Sequence, residues 1–104
     1  MRRVRILEAA AQEALEAAAW YEREQDGLGV EFEAAVQAAL DVLETDVVPL
    51  TSTPGAAGAS GAKRLVLRRF PFDIVVVERK GDVVVVAFAH QARRPGYWRG
   101  RLRI

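Results

Sequence analysis

The sequence has no cysteine and a single histidine, His90. The first absence excludes a disulfide scaffold and thiolate chemistry, and the second excludes a metal site built on several imidazoles. No metal or other cofactor is therefore expected. The apolar runs are no longer than a strand, far short of the roughly 20 residues that cross a bilayer, so no membrane partner is expected either. Met1 to Leu7 carries basic residues without an apolar core, and Glu8 ends it at once, which is not the pattern of an export signal. The cytoplasm is the expected location. Acidic residues are scarce in one half only. Residues 63–104 hold 11 basic and 3 acidic side chains, a net of +8, against 4 and 11 in residues 1–62, a net of −7; the whole-chain figure of +1 hides this.

A half so basic points to a polyanion or an acidic protein as partner. The plainer alternative is that the two halves neutralise each other in the fold. With 104 residues, 51% hydrophobic and 28% charged, residues 1–104 read as one globular domain.

Arg2 to Leu7 alternates, with Val4 and Ile6 against Arg3 and Arg5, which predicts a first strand. From Glu8 the period becomes helical. Leu7, Ala11, Ala14, Leu15, Ala18 and Tyr21 form an apolar stripe, and Glu13, Glu16 and Glu24 lie off it. Gly27-Leu28-Gly29 breaks the pattern as a turn. Phe32, Val36, Ala39, Leu40, Leu43 and Val47 then form the stripe of a second helix that Pro49 stops. Two amphipathic helices joined by a short turn make an antiparallel hairpin, which needs a sheet to cover its stripes.

Leu50 to Ala62 is rich in Thr, Ser, Pro, Gly and Ala and reads as a flexible loop. Its glycines are not a phosphate loop, because Gly-Lys-Ser/Thr is absent and no strand precedes it. Lys63 to Arg68 alternates, with Leu65 and Leu67 on one face and Arg64, Val66 and Arg68 on the other. After a bend at Arg69-Phe70-Pro71 come a strand from Phe72 to Arg79, a tight turn at Lys80-Gly81, and a strand from Asp82 to His90. The last strand is apolar on both faces, so both need cover. The hairpin covers one. The other falls to the chain's tail or to another protein. The expected fold is α+β: an N-terminal strand, then an antiparallel helix hairpin packed on a mostly antiparallel sheet, then a basic tail over residues 97–104.

Helix one ends in Ala19-Trp20-Tyr21-Glu22, and helix two opens after Gly27-Leu28-Gly29 with Phe32 placed early. The sheet contains Arg64-Leu65-Val66-Leu67-Arg68-Arg69-Phe70-Pro71-Phe72. The last strand ends Ala89-His90-Gln91-Ala92-Arg93-Arg94-Pro95-Gly96-Tyr97-Trp98. In order and spacing this set resembles toxins of the RelE/ParE superfamily, above all members whose last strand ends His-x-x-Arg-x-Pro-x-x-Trp. The resemblance spans the chain apart from Leu50 to Ala62 and the last few residues. It implies a microbial-RNase-like fold and a hetero-oligomer with a cognate antitoxin. It also implies one of two activities on the same scaffold. RelE-like members cut messenger RNA on the ribosome, and ParE-like members inhibit DNA gyrase without cutting anything. A relative that binds antitoxin but is not toxic is a third expectation.

Metal-free RNA cleavage needs a group to start the attack, cations for the charge on phosphorus, and an acid for the leaving oxygen. The basic half holds candidates for each. Arg64 and Arg93 are the expected catalytic cations, since the guanidinium fork holds phosphate in two places and stays charged. His90 is the expected acid or base. Tyr97 shares that role if neighbouring arginines lower its pKa. Lys63, Arg68, Arg69, Arg94 and Arg99 are expected nucleic-acid contacts, with Trp98 as a stacking platform or a packing anchor. Trp20 and Tyr21 are expected to pack helix onto sheet. The plain alternative for His90 is a hydrogen-bonded structural residue at a strand end.

Overall fold

The computed structural model describes residues 3–45, 51–52 and 61–104. The elements run β1 (Val4–Ile6), α1 (Glu8–Glu24), α2 (Leu28–Leu43), β2 (Thr51–Ser52), β3 (Lys63–Val66), β4 (Phe72–Arg79), β5 (Asp82–His90) and a 3-10 helix (Arg99–Leu102). The sheet order is β1-β5-β4-β3-β2. β1 is parallel to β5, and the other neighbours are antiparallel. The α+β architecture with a helix hairpin and a mostly antiparallel sheet is thus present. Among the described residues, no helix is long and apolar enough to cross a membrane.

Several boundaries differ from expectation. The loop assigned to Leu50 to Ala62 contains β2, whose Thr51 and Ser52 pair with Arg64 and Lys63; Leu50 and residues 53–60 lie outside the described residues. α2 ends at Leu43, ahead of Pro49, and Val47 lies outside the described residues. β3 stops at Val66, short of Arg68, and the chain bends through residues 68–70. Lys80 and Gly81 both have positive φ, 53° and 83°, the pairing that a two-residue hairpin turn requires.

The hairpin is built around two short-range devices. The Glu22 carboxylate accepts the backbone N–H groups of Gly27 at 2.8 Å and Gly29 at 3.0 Å. It thereby satisfies donors that the start of α2 leaves without helical partners. Gly29 is also where the helices approach most closely: a Cβ there would sit 2.5 Å from the carbonyl oxygen of Ala18. Gly29→Ala should therefore cost about 1–3 kcal/mol, a typical overpacking penalty, because the obstructing atom is backbone and cannot rotate away. A urea unfolding midpoint measured against the parent protein checks this.

Five residues of the expected inward stripe of α1 turn inward: Ala18 is buried, and Leu7, Ala11, Ala14 and Tyr21 are half-buried. The inward face also takes in buried Ala10 and half-buried Glu13 and Ala17, whereas Leu15 is 64% exposed. In a helix this rich in alanine, the small residues let the sheet close in, and the one large aliphatic side chain faces out. The helix-side core joins Ala10, Phe32, Val36 and Leu43 to Ile74, Val76, Val83, Val85 and Phe88. At one end Tyr21, Phe32, Phe70 and Phe72 form an aromatic knot, with Tyr21 to Phe70 at 4.9 Å and Phe32 to Phe70 at 5.1 Å between ring centres, both edge-on.

The opposite face of the sheet has its own core: Val75, Val77, Val84, Val86 and Ala87 packed with Ala62 and Trp98, and with Tyr97 and Leu102 at its margin. The tail therefore does what the doubly apolar β5 demands. The two-faced pattern of Val83 to Ala89 does not by itself call for a second protein. Within residues 97–104, Trp98 is 3% exposed and Tyr97, Arg101 and Leu102 are half-buried, whereas Arg99, Gly100, Arg103 and Ile104 are exposed.

Candidate functional site

A cleft of about 380 Å³ opens where β5 ends and the tail begins. Strand alternation builds its floor. Arg64 pairs with Val75, Val66 with Asp73, and Asp73 with Ala89, so these side chains share the face away from the helices. The turn after β5 supplies the wall. The lining includes Arg64, Asp73, His90, Gln91, Arg93, Arg94, Tyr97 and Trp98. The four expected catalytic residues are thus brought together in one concavity.

Of the remaining expected contacts, Arg94 and Trp98 line the same cleft, and Lys63, Arg68, Arg69 and Arg99 do not. Lys63 is one position from Arg64 and so projects from the opposite face, beside a second hollow with Val76, Glu78 and Arg79. Arg68 follows the end of β3, so the alternation that placed it with Arg64 does not reach it. Arg69 pairs with Glu31 at 3.0 Å and lies over the Phe70 ring, on the helix side. Arg99 is exposed and lines none of these hollows. Trp98 touches the cleft, but a ring so thoroughly covered has no face left to stack on a base; it is the anchor of the tail.

Glu13 organises the cleft, although it lies off the expected stripe and was expected on the solvent side. Its side chain is 14% exposed. It accepts the Tyr97 hydroxyl at 2.6 Å, both terminal nitrogens of Arg101 at 2.9 and 3.2 Å, Arg93 at 3.4 Å, and the backbone N–H of Phe88 at 3.1 Å. Arg101 also donates to the Val86 carbonyl at 3.0 Å. The Arg93 guanidinium lies 3.6 Å from the centre of the Tyr97 ring. One carboxylate on α1 thus fixes β5, the turn after it and the 3-10 helix. Asp73 does a similar service on the floor, accepting Arg64 at 3.3 Å and the Gln91 amide at 3.1 Å.

These contacts decide how the cleft handles protons. The Tyr97 hydroxyl is pushed well above its ordinary range, first by burial, then by its hydrogen bond to Glu13 and the charge there; Arg93 and Arg101 pull the other way and lose. The condition for Tyr97 as an acid or base is not met. His90 accepts the Ala92 N–H at Nδ1, 3.0 Å, so the neutral ring carries its proton on Nε2. The His90 ring also stands edge-on to Phe72 at 5.1 Å, so the aromatic knot sets its orientation.

Both tyrosines should titrate above the ordinary value of about 10, Tyr21 through burial alone. Because the folded pKa is raised, the contribution of the protonated phenol is complete below that ordinary value and is lost as pH climbs past the folded one. Phenolate absorbance against pH measures this. Glu13→Gln should bring Tyr97 down part of the way, since burial, the largest cause, stays.

Glu13, Asp73, Gln91 and Arg101 are the site residues that sequence reasoning misses. The one trace of Glu13 is positional: Ala10 and Ala17 flank it at i−3 and i+4, room enough for the sheet to reach the carboxylate. Among the described residues, no group of three or more His, Cys, Asp or Glu is placed to hold a metal ion. Compared with models of protein families and with curated proteins, the chain finds no match in either.

Proposed function

We propose that this chain is a toxin of the RelE/ParE kind, acting in the cytoplasm as a ribosome-dependent messenger-RNA endoribonuclease and neutralised by a cognate antitoxin. One observation carries the reading: His90, Arg64, Arg93 and Tyr97 line a single cleft, together with Arg94. In the proposed reaction the RNA 2′-oxygen attacks the adjacent phosphorus as its proton passes to a non-bridging phosphate oxygen, and the bond to the 5′-oxygen breaks as that oxygen takes up a proton. The products are a 2′,3′-cyclic phosphate and a 5′-hydroxyl, and no further reactant is needed. Arg64, Arg93 and Arg94 hold the phosphate oxygens as charge builds there. His90 presents its Nε2–H to the scissile phosphate or the leaving oxygen, and becomes a full proton donor only if Nδ1 is freed from Ala92. Tyr97 is a positioning residue, its ring under Arg93 and its hydroxyl on Glu13.

A second reading, a ParE-like gyrase inhibitor, is favoured by a different observation. Arg64, Arg93 and Arg101 are each engaged by a carboxylate, and the Tyr97 proton is held tightly. Such a cleft suits binding at least as well as proton transfer.

Induced expression separates the readings, with messenger-RNA integrity and chromosome morphology read from one culture. Growth arrest with messages cut inside coding regions is the expected result. Filamentous cells with intact messages move the assignment to gyrase, and undisturbed growth leaves the non-toxic relative.

A further inference from the structure

His90 lines two hollows. One is the arginine cleft; the other, about 210 Å³, lies on the helix side and is formed by Ala17, Trp20, Tyr21, Phe72 and His90. Its rim holds an anomaly. Trp20 was expected to pack helix onto sheet, yet it is 51% exposed and meets its neighbour Tyr21 edge-on at 5.1 Å between ring centres. The Tyr21 and Phe72 rings close the inner wall, and His90 stands between this niche and the arginines.

We infer that the niche is a base-binding subsite: Trp20, Tyr21, Phe72 and His90 receive an unpaired nucleobase whose adjoining phosphate lies in the arginine cleft. The inference rests on the reading of that cleft as a phosphate site and adds to it where the neighbouring base goes. Three features argue for this occupant. The niche is aromatic on several sides, and the π-face of any base stacks on such walls. It shares one side chain with the cationic cleft, so a base and its own phosphate are served from adjacent hollows. α1 also carries Glu16 and Glu24 at i−4 and i+4 of Trp20, which repel phosphate from the helix side. The strand is thereby oriented, backbone toward the arginines and base toward Trp20. A base inside a duplex has both faces covered by its stacked neighbours, so the subsite selects single strands.

The test uses the full chain and two probes, a short single-stranded RNA oligonucleotide and inorganic polyphosphate, which offers the charge without the base. The chain has two tryptophans, Trp20 and Trp98, so quenching present in the parent protein and lost in Trp20→Ala belongs to Trp20. The expected result is that RNA quenches Trp20 and polyphosphate does not, although it competes for the cleft. Trp20→Ala should weaken RNA binding by roughly ten- to a hundredfold, the size of one base–aromatic stack, and leave polyphosphate binding unchanged. Trp20→Phe should restore most of it. Unchanged RNA affinity in Trp20→Ala, or equal quenching by both probes, overturns the niche while the cleft stands. If neither probe binds the parent protein, the cleft reading fails and the niche fails with it. Trp20 is an exposed side chain, so its replacement should leave the thermal midpoint in place, and a matching midpoint makes a lost affinity a loss of contact.

Discussion

Glu13→Ala should destabilise the protein by about 3–5 kcal/mol, the cost of removing one partner from a mostly buried ion pair. The magnitude follows from what is left behind. The Phe88 N–H and the Tyr97 hydroxyl lose their acceptor, and Arg101, half-covered against the sheet, loses the two-point contact that compensates its desolvation. Glu13→Gln should cost less, because the amide oxygen still accepts from Phe88 and its NH2 can donate to the Tyr97 hydroxyl oxygen, but it meets Arg101 without charge. Chemical denaturation gives both values. A double-mutant cycle with Arg101→Met isolates the pair. An alanine variant within 1 kcal/mol of the parent, the ordinary size of an exposed pair, would show that the tail holds without the carboxylate.

His90→Ala should abolish message cleavage while sparing stability and phosphate binding. Loss of a proton-handling group in a phosphate site costs about 10²–10⁴ in rate. The arginines proposed to hold the phosphate are fixed independently, by Asp73 and Glu13. The rate of cleavage on programmed ribosomes, set against polyphosphate affinity, reads the two effects separately. Arg94→Ala should do the reverse, weakening phosphate binding with a milder effect on the chemical step. If His90→Ala stays fully toxic with messages intact, the ring is a strand-end support, and gyrase supercoiling at saturating protein becomes the decisive assay.

The fold is legible in the sequence wherever one contrast dominates. The change of period at Lys63, the turn at Lys80-Gly81 and the hydrophobicity of β5 on both faces each leave few alternatives, and each appears in the structure. The inward face of α1 is legible only in part: Ala11, Ala14, Ala18 and Tyr21 turn inward as the stripe predicts, but alanines on every side leave the pattern little amplitude, and inward Ala10 and Ala17 and outward Leu15 escape it. The convergence of the cleft follows from alternation, which puts Arg64 on the face that the tail crosses. Its carboxylates do not follow. Asp73 is one of two acids in a largely apolar strand, and Glu13 is one of several glutamates on a helix. Only the packing of distant segments distinguishes either from a solvated charge. Trp20 is misread for the converse reason, since hydrophobicity alone predicts burial.

The contact between Glu13 and Arg101 spans 88 positions of the chain. A nascent polypeptide can form α1 and α2 before the long strands β4 and β5 exist, and its cleft gains a far wall only when Arg93, Tyr97 and the 3-10 helix have been made and have folded back onto the first helix. Long-range closures of this kind come late in folding. The cleft is complete only once α1 and the segment from Arg93 to Arg101 have met.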